Sequence, residues 1–259
     1  MLSEQKIEKL QTFYQRQKAL VTSPFIDEKM NLNSLLFQRL QQRLAISFSN
    51  KRILDIGCGS GMLGAFFNNH QHYTGLDLNQ WPSFHILTDD KHHYSRADAL
   101  HLPIQNASMD IAICMDSFEH FPDQYMAARE IKRVLKPNGS FILSVPNYAN
   151  ISGFVKYLYE YSGRYEKQTW APFDFWEPEE LEHFMTPGRI KTIFRKAGFR
   201  SFQRFGYDKE VVIGLCPWVW HPEMPRKLAR LISKLFEPVS SPLVKIWPES
   251  SLHTFWKIQ

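Results

Sequence analysis

The chain has 259 residues, of which 44% are hydrophobic and 22% charged, a composition typical of a globular protein with a full apolar core. Its 31 basic and 26 acidic residues leave a net charge of +5, which is too small to indicate nucleic acid as a partner. Three cysteines without CxxC spacing argue against a disulfide framework or a metal cluster, and no uncharged apolar run approaches the roughly 20 residues of a membrane span.

The first part of the chain has a helical pattern. Residues 3–48 show the spacing of two amphipathic helices separated by "TSPF", which predicts an N-terminal helical cap over residues 1–48. The polar opening "MLSEQKIEKLQTFYQRQ" lacks the apolar core of a signal peptide. Because scattered free cysteines suit a reducing compartment, we expect a cytoplasmic protein without a metal site.

The next part, up to residue 147, alternates between short apolar strands and helices. "RILDIG", "HYTGLDL", "HHYSRADA", "MDIAICMD" and "SFILSVPN" are predicted strands, while "GMLGAFFNN" and "DQYMAAREIKRVLKPNG" are predicted helices. A proline in the stretch between the second and third strands predicts a short or distorted helix there. This alternation predicts an α/β fold with a doubly wound parallel sheet and helices on both faces.

A glycine-rich loop, "GCGSG", follows the first predicted strand. Gly57, Gly59 and Gly61 have GxGxG spacing, and glycines let the backbone approach a ligand closely. Asp55, two residues before the first glycine, would repel a pyrophosphate and attract an amine or a sulfonium. The loop therefore favours a cationic ligand over a dinucleotide.

Acidic residues end the next two predicted strands. Asp77 could accept both hydroxyls of a ribose through charge-assisted hydrogen bonds. Asp98 could accept the exocyclic amine of adenine, while Ala99 could offer its backbone N–H to the ring. A sulfonium, a ribose and an adenine together describe S-adenosylmethionine.

Four motifs carry a resemblance to a known family. "ILDIGCGSG", "GLDL", "DALHLPIQNASMDIAICMDSFEHFPD" and "EIKRVLKPNGSFILSVPN" resemble the successive motifs of class I S-adenosylmethionine-dependent methyltransferases of the type 11, small-molecule kind. The match covers about residues 50–147, and "FRKAGF" extends it to about residue 199. The resemblance implies a Rossmann-like seven-stranded sheet whose antiparallel last strand is supplied by "LHTFWKIQ", and S-adenosylhomocysteine as the product.

The resemblance also assigns the cofactor-binding residues. It places the methionine end of the cofactor at Asp55 and the glycines, the ribose at Asp77, and the adenine at Asp98 and Ala99. Cys58 is interpreted as a small residue of the loop and not as a catalytic thiol. The full predicted set is Asp55, Gly57, Cys58, Gly59, Gly61, Asp77, Leu78, Asp98, Ala99 and Met115.

The segment "MDSFEHFPD" after the fourth strand should face the transferred methyl group. It carries Asp116, Glu119 and His120, and an unperturbed imidazole is well suited to take a proton near neutral pH. His120 is the predicted catalytic base; the alternative is that Glu119 and His120 only anchor the following helix. A resemblance of "SFEHF" to cyclopropane fatty acid synthases is disfavoured, because Ser144 or Val145 stands where those enzymes have a histidine.

Several absent motifs narrow the methyl acceptor. The (Asp/Asn)-Pro-Pro-aromatic motif of amino-methylating nucleic-acid enzymes, the Pro-Cys dipeptide of cytosine-C5 enzymes and the paired-glutamate loop of arginine methyltransferases are missing. We expect a small apolar or aromatic acceptor, methylated at oxygen, with carbon and nitrogen left open. Two alternatives also stay open: a catalytically inactive cofactor-binding partner subunit, and an RNA methyltransferase.

Two insertions interrupt the domain predicted over residues 49–259. They lie at about residues 148–185 and 207–249, and we expect them to form a lid over the acceptor pocket. The aromatic residues of the first insertion could wall the pocket or form the core of the lid; they are Tyr148, Phe154, Tyr157, Tyr159, Tyr161, Trp170, Phe173, Phe175 and Trp176.

The second insertion contains an amphipathic stretch. In "PRKLARLISKLFEP", basic residues lie opposite a helical repeat of apolar ones, and "CPWVWHP" precedes it. Packing on its own domain would explain this pattern. Peripheral contact with a membrane through residues 217–237 is the second interpretation.

Overall fold

The computed structural model describes residues 41–67, 69–162, 182–220 and 224–259, and these contain one seven-stranded sheet. The strands run in the order β3-β2-β1-β4-β5-β7-β6. The first five pair in parallel, whereas β7 is antiparallel to both β5 and β6. This confirms the predicted fold class. The strands are β1 (Arg52–Ile56), β2 (His72–Asp77), β3 (His92–Arg96), β4 (Met109–Met115), β5 (Leu135–Pro146), β6 (Phe202–Gly206) and β7 (His253–Ile258).

The described helices vary widely in length. The α-helices are α1 (Phe84–Leu87), α2 (Gln124–Val134), α3 (Ile151–Tyr161), α4 (Pro187–Lys196), α5 (Val211–Leu215) and α6 (Arg226–Ile246). Short 3-10 helices span Met62–Phe66, Phe118–His120, Asp208–Glu210, Pro217–Trp220 and Pro248–Ser250. The four-residue α1 agrees with the short helix predicted from the proline before it. No helix in the described ranges combines the length and apolar character that crossing a bilayer requires.

The central strands are buried on both faces because helices cover the sheet from both sides. In β4, Ile111 to Cys114 are all buried, as expected of a parallel strand between two layers. Leu54 and Ala112 face α2 and α4 in one apolar cluster, and Ile53 and Ile113 face the other. The core therefore holds the carboxyl ends of β1 and β4 in fixed positions.

The helix predicted from "GMLGAFFNN" is shorter and tighter than expected. It is a 3-10 helix over Met62–Phe66, preceded by Gly61 in the left-handed conformation at φ 81°. Gly64 packs so close to the tyrosines that an added Cβ would lie 2.3 Å from the Tyr94 hydroxyl. This close packing against Tyr73 and Tyr94 is the physical reason that a regular helix does not form.

Two other predictions concern where an element begins or ends. Strand β5 begins at Leu135, before the predicted Ser140, because Leu135 pairs with Met109 ahead of a register shift. Of the predicted N-terminal cap, residues 41–44 are helical and Leu44 is buried in the core, while residues 1–40 lie outside the described residues. The domain boundary at residue 48 stays a prediction.

The antiparallel direction of β7 places its first residue near the functional edge. His253 pairs with Pro146, the last residue of β5. The carboxyl ends of β1, β4 and β5 and the amino end of β7 therefore meet at one edge of the sheet, where ligands bind in folds of this type.

Candidate functional site

A cavity of about 380 Å³ opens at the carboxyl edge of the sheet. Its wall comes from the turns after β1, β2, β3 and β4, which the parallel sheet brings together. The lining residues are Ile56, Gly57, Cys58, Gly59, Ser60, Leu76, Asp77, Leu78, Trp81, Ala97, Asp98, Ala99, Leu100, Leu102, Met115, Asp116, Ser117, His120, Phe121 and Pro122.

The glycine loop bends sharply over the end of β2. Gly57 and Gly59 have left-handed φ values of 73° and 53°, and the Gly57 N–H donates to the Leu76 carbonyl at 2.8 Å. An added Cβ at Gly57 would lie 2.6 Å from the Ser117 side chain, whereas one at Gly59 would meet nothing within 4 Å. The backbone at Gly59 therefore borders open space in the cavity wall, as close approach of a ligand requires.

Asp77 is held at the cavity wall by two backbone donors. The Gly59 N–H donates to its Oδ2 atom and the Asn79 N–H donates to its Oδ1 atom, both at 2.8 Å. A carboxylate oxygen has two lone pairs, so each atom keeps the capacity to accept a further hydroxyl. This geometry fits the predicted contact with the two hydroxyls of a ribose.

The turn after β3 supplies a mostly apolar wall. Ala99, Leu100 and Leu102 line the cavity, as the flat face of an adenine ring would require. Asp98 also lines it, and its Oδ1 atom accepts a hydrogen bond from the Leu100 N–H at 2.9 Å. Asp98 therefore caps its own turn, and a second lone pair on Oδ1 is left for a ligand amine.

Asp55 and Gly61 are the two predicted cofactor residues that the structure does not bring to the cavity wall. Asp55 is buried behind the loop, where the Tyr73 hydroxyl donates to its Oδ2 atom at 2.5 Å. Burial raises the pKa of Asp55 to about 7, although the hydrogen bond from Tyr73 opposes the shift. The carbonyl of Gly61 accepts a hydrogen bond from the Tyr94 hydroxyl at 3.0 Å. Both residues thus form hydrogen bonds with tyrosines behind the glycine loop, Tyr73 in β2 and Tyr94 in β3. Their predicted contact with the cofactor stays a prediction.

Cys58, Leu78 and Met115 all line the cavity, and their predicted contact with the cofactor stays a prediction. Burial, with the negative charges of Asp55 and Asp77, raises the pKa of the Cys58 thiol far above its usual range. Because the thiolate is the nucleophilic form of cysteine, this environment suits a small loop residue and not a reactive thiol.

His120 lines the cavity on the side of β4. Its Nε2 atom lies 3.7 Å from the Oε1 atom of Glu119, and both side chains are buried. Burial raises the pKa of Glu119 to about 8, although His120 opposes the shift. Within the described part of the chain, the Oε2 atom of Glu119 has no hydrogen-bond partner.

Asp116 is a cavity residue that the sequence indicated only as a neighbour of His120. It has a left-handed φ of 49°, and its N–H donates to the Ser144 carbonyl at 3.0 Å. The Ser144 hydroxyl donates to the Asp116 Oδ1 atom at 2.5 Å. These contacts turn the Asp116 carboxylate, which is 46% exposed, toward the cavity.

His253 and Glu210 lie behind Asp116 and are absent from the sequence prediction. The Nε2 atom of His253 is 3.9 Å from Asp116 Oδ1, and its Nδ1 atom is 3.1 Å from both carboxylate oxygens of Glu210. Burial alone would lower the pKa of His253, but the carboxylates of Glu210 and Asp116 raise it to about 10. The only sequence signal was a histidine at the start of the closing strand, and nothing paired it with Glu210.

The first insertion contributes little to the described cavity wall. Of its aromatic residues, Trp170, Phe173, Phe175 and Trp176 lie outside the described residues, and the described ones do not line the cavity. The Tyr148 hydroxyl donates to Glu182, which also pairs with Lys156 at 2.5 Å. Among the described residues, no group of three histidine, cysteine or acidic side chains is arranged to hold a metal ion.

Curated relatives match the central part of the chain. The chain is 32% identical over 117 residues to a 27-O-demethylrifamycin SV methyltransferase of Amycolatopsis mediterranei, covering 40% of this chain and 43% of that protein. It is 32% identical over 124 residues to a ubiquinone biosynthesis O-methyltransferase of Dechloromonas aromatica, covering 45% of this chain and 53% of that protein. The chain thus spans about half the length of these relatives.

A solved structure extends the similarity of fold to nearly the whole chain. A methyltransferase in complex with the Haloferax volcanii Trm112 methyltransferase activator has a TM-score of 0.57 at 18% identity, covering 95% of this chain and 96% of that one. A family model described as a methyltransferase domain matches residues 27–203, more than half of the chain. The chain therefore belongs to this family of enzymes, the class I S-adenosylmethionine-dependent methyltransferases.

Proposed function

We propose that this protein transfers a methyl group from S-adenosylmethionine to a hydroxyl oxygen of a small apolar or aromatic molecule. The observation that carries the proposal is one cavity with two functional sides. The fixed carboxylate of Asp77 lies on one side, and His120 with Asp116 lies on the other.

The residues on the first side suit the cofactor. Asp77 would accept the ribose hydroxyls, Ala99 and Leu100 would contact the adenine, and the backbone at Gly59 would approach the methionine end. When bound, S-adenosylmethionine supplies a methyl group activated by its sulfonium. The protein's own task is then to position the acceptor and to exclude water.

His120 is the group proposed to take the proton of the acceptor hydroxyl. Because burial raises the pKa of Glu119 to about 8, Glu119 is mostly neutral at pH 7. The His120 ring borders the cavity beside Glu119, which places it within reach of a hydroxyl bound there, as general-base catalysis requires. Asp116, turned toward the cavity by Ser144, would orient the same hydroxyl.

The acceptor class is supported by the relatives and by the cavity wall. The two relatives' names specify methylation at oxygen, on a rifamycin in one case and in ubiquinone biosynthesis in the other. Phe121 and Pro122 add apolar surface on the side of the cavity that follows β4. These features favour an apolar molecule with a hydroxyl as the acceptor.

Calorimetric titration with S-adenosylhomocysteine, with NADH as the control ligand, tests the cofactor assignment. We expect micromolar binding of the first (on the order of −8 kcal/mol) and none of the second. A panel of phenols and hydroxylated apolar compounds, assayed with labelled S-adenosylmethionine, then tests the reaction. Cofactor binding without turnover on any compound would favour an inactive binding subunit, and selective turnover on RNA would contradict the small-molecule proposal.

Substitution of His120 separates catalysis from binding. His120→Ala should lower turnover by about 100-fold or more while leaving S-adenosylhomocysteine affinity within about threefold, since general-base catalysis is usually worth 10²–10⁴ in rate. His85→Ala is the matched control, because His85 is exposed on α1 and does not line the cavity. Normal turnover in His120→Ala would remove His120 from the mechanism.

Peripheral contact with a membrane through residues 217–237 is also proposed. Helix α6 continues beyond residue 237 to Ile246, so the surface available for such contact is longer than this range.

A further inference from the structure

Helix α6 presents an apolar stripe along its exposed side. Leu228, Leu231, Leu235 and Val239 are exposed by 44% to 66%, and Ile246 by 86%. Their spacing of three, four, four and seven residues places them on one face of the helix. Because α6 has 21 residues, the stripe is about 30 Å long.

The opposite side of α6 attaches it to the domain. Ser240 and Val244 are buried, and the helix contacts α5 and the 3-10 helix Asp208–Glu210. The packing of α6 on its own domain therefore uses other residues than the stripe. The sequence predicted packing or membrane contact as alternatives, whereas the structure gives the helix a separate face for each.

Basic residues flank the stripe. Lys227, Arg230, Lys234 and Lys245 are exposed, and a rotation of about 100° per residue places three of them, Lys227, Lys234 and Lys245, along one border of the stripe. Glu237 is the only acidic residue of α6. This surface therefore combines apolar area with a positive border.

Tryptophans stand on both sides of α6 in the chain. Trp218 precedes the helix and is 50% exposed, and Trp247 follows it and is 38% exposed. Indole rings favour the boundary between water and lipid because one edge is polar and the body is apolar.

We propose that α6 (Arg226–Ile246), with Trp247 after it, is an interfacial helix that binds the surface of an anionic lipid bilayer. Its apolar stripe would enter the boundary between headgroups and acyl chains, and its basic border would contact the anionic headgroups. The charge decides the occupant, since a positive border complements anionic lipid, whereas a second copy of this chain would bring like charges together.

The proposed binding of α6 to a bilayer does not depend on the proposed methyltransferase function. The consequence of that binding for the reaction does rest on the proposed function. The 3-10 helix Asp208–Glu210 contacts α6 and carries Glu210, which reaches His253 behind Asp116. Two elements, α6 and this 3-10 helix, would therefore link a bilayer on the stripe to the acceptor side of the cavity. An apolar acceptor of the proposed class would concentrate in the same bilayer that holds the protein.

Co-sedimentation with lipid vesicles tests the proposal. The full chain is mixed with phosphatidylcholine vesicles and with vesicles containing about 30% phosphatidylglycerol, at about 0.1 and about 0.5 M NaCl. We expect at least about tenfold stronger partition to the anionic vesicles at low salt, and a loss of most of that preference at high salt.

Two variants test the two parts of the surface. Leu231→Asp with Leu235→Asp should reduce partition to both kinds of vesicle by about tenfold or more. Lys227→Glu with Arg230→Glu and Lys234→Glu should abolish the preference for anionic lipid. Matched controls are Ile86→Asp, an 84% exposed apolar residue on α1, and the combination Arg129→Glu, Lys196→Glu and Arg200→Glu, which changes the net charge equally at exposed positions elsewhere.

Unchanged S-adenosylhomocysteine affinity in each variant shows that it is folded and keeps this test separate from the cofactor assignment. No sedimentation of the wild-type chain with anionic vesicles would overturn the proposal. So would equal losses in the α6 variants and their controls. A dimer of the free protein that Leu231→Asp with Leu235→Asp makes monomeric, without lipid binding, would assign the stripe to a second copy instead.

Discussion

The two sides of the cavity are assembled in different ways. The cofactor side comes from the turns after β1, β2 and β3, and its polar contacts are backbone donors to Asp77 and Asp98. The acceptor side combines the turn after β4 with groups from far along the chain. Ser144 and His253 contact Asp116, and Glu210 pairs with His253. The first side depends on local backbone geometry, and the second depends on buried charge and on the register of β7.

The largest expected effect is on the cofactor side. Gly57→Ala should weaken S-adenosylhomocysteine binding by about 100-fold or more, because a left-handed φ costs a non-glycine residue about 1–2 kcal/mol and the new methyl group would meet Ser117. Titration calorimetry measures the affinity. Gly188→Ala is the control, since its added Cβ meets nothing within 4 Å in α4 and should leave binding unchanged.

Asp77→Ala should weaken S-adenosylhomocysteine binding by about ten- to 100-fold, because it removes charge-assisted hydrogen bonds to the ribose. Asp110→Ala is a control at the opposite end of the sheet, where Asp110 pairs with Lys136 at 2.8 Å. An unchanged affinity in Asp77→Ala would refute the ribose assignment.

Glu119→Gln tests whether Glu119 is protonated in the native state, through the pH dependence of the free energy of unfolding. The native state binds a proton on Glu119 up to pH 8, whereas the unfolded chain releases it near pH 4.5. Stability should therefore fall as pH rises from about 4.5 to about 8, by at most about 1.4 kcal/mol per pH unit, and then level off. Glu119→Gln removes this contribution, so its advantage over wild type should grow with pH across that window.

Urea unfolding at several pH values measures this difference. Asp55→Asn provides a comparison from the other side of the loop, since its pKa of about 7 should end the corresponding window one unit earlier. Parallel curves for Glu119→Gln and wild type would show that Glu119 is ionised in the native state.

The smallest expected effect is on the pKa of the His253 imidazole. His253 should stay protonated up to about pH 10, and Glu210→Gln should lower its pKa toward the ordinary value near 6.5. Its contribution to stability is complete below about pH 6.5 and is lost as pH rises toward 10. NMR titration of the histidine ring signals measures both states, with the exposed His101 as the internal reference. An ordinary pKa for His253 in the wild-type protein would show that the Glu210 and Asp116 carboxylates do not act on it.

The difference between the locally built cofactor side and the acceptor side, built from distant residues, also explains how much of the molecule could be predicted from the sequence. The strands up to β5 and the glycine loop could be predicted from short motifs in which each strand is next to its own turn, and these motifs pointed to Gly57 and Asp77, which line the cavity. The helix after the loop was predicted too long, because the close packing of Gly64 against Tyr94 is not visible in the local pattern.

The contacts of the acceptor side could not be predicted in this way. Glu210 and His253 are 43 positions apart, and they meet because β7 runs antiparallel to β6, whose last residue Gly206 pairs with Thr254. Asp116 has a left-handed φ of 49° although it is not a glycine. The sequence therefore contains no glycine that would have predicted this turn. The exposed stripe of α6 was predicted as an amphipathic pattern, but its separation from the packing face required the structure.

The position of β7 in the sheet has a consequence for protein synthesis. Among the strands that the structure describes, β6 joins the sheet only through β7, and β7 also covers the edge of β5. Until residues 253–258 have left the ribosome, β6 has no partner strand and the apolar β5 is an open edge, a known route to aggregation. Translation that stops before β7 would therefore yield a chain with an unfinished sheet, even though every cavity-lining residue from Ile56 to Pro122 had already been made.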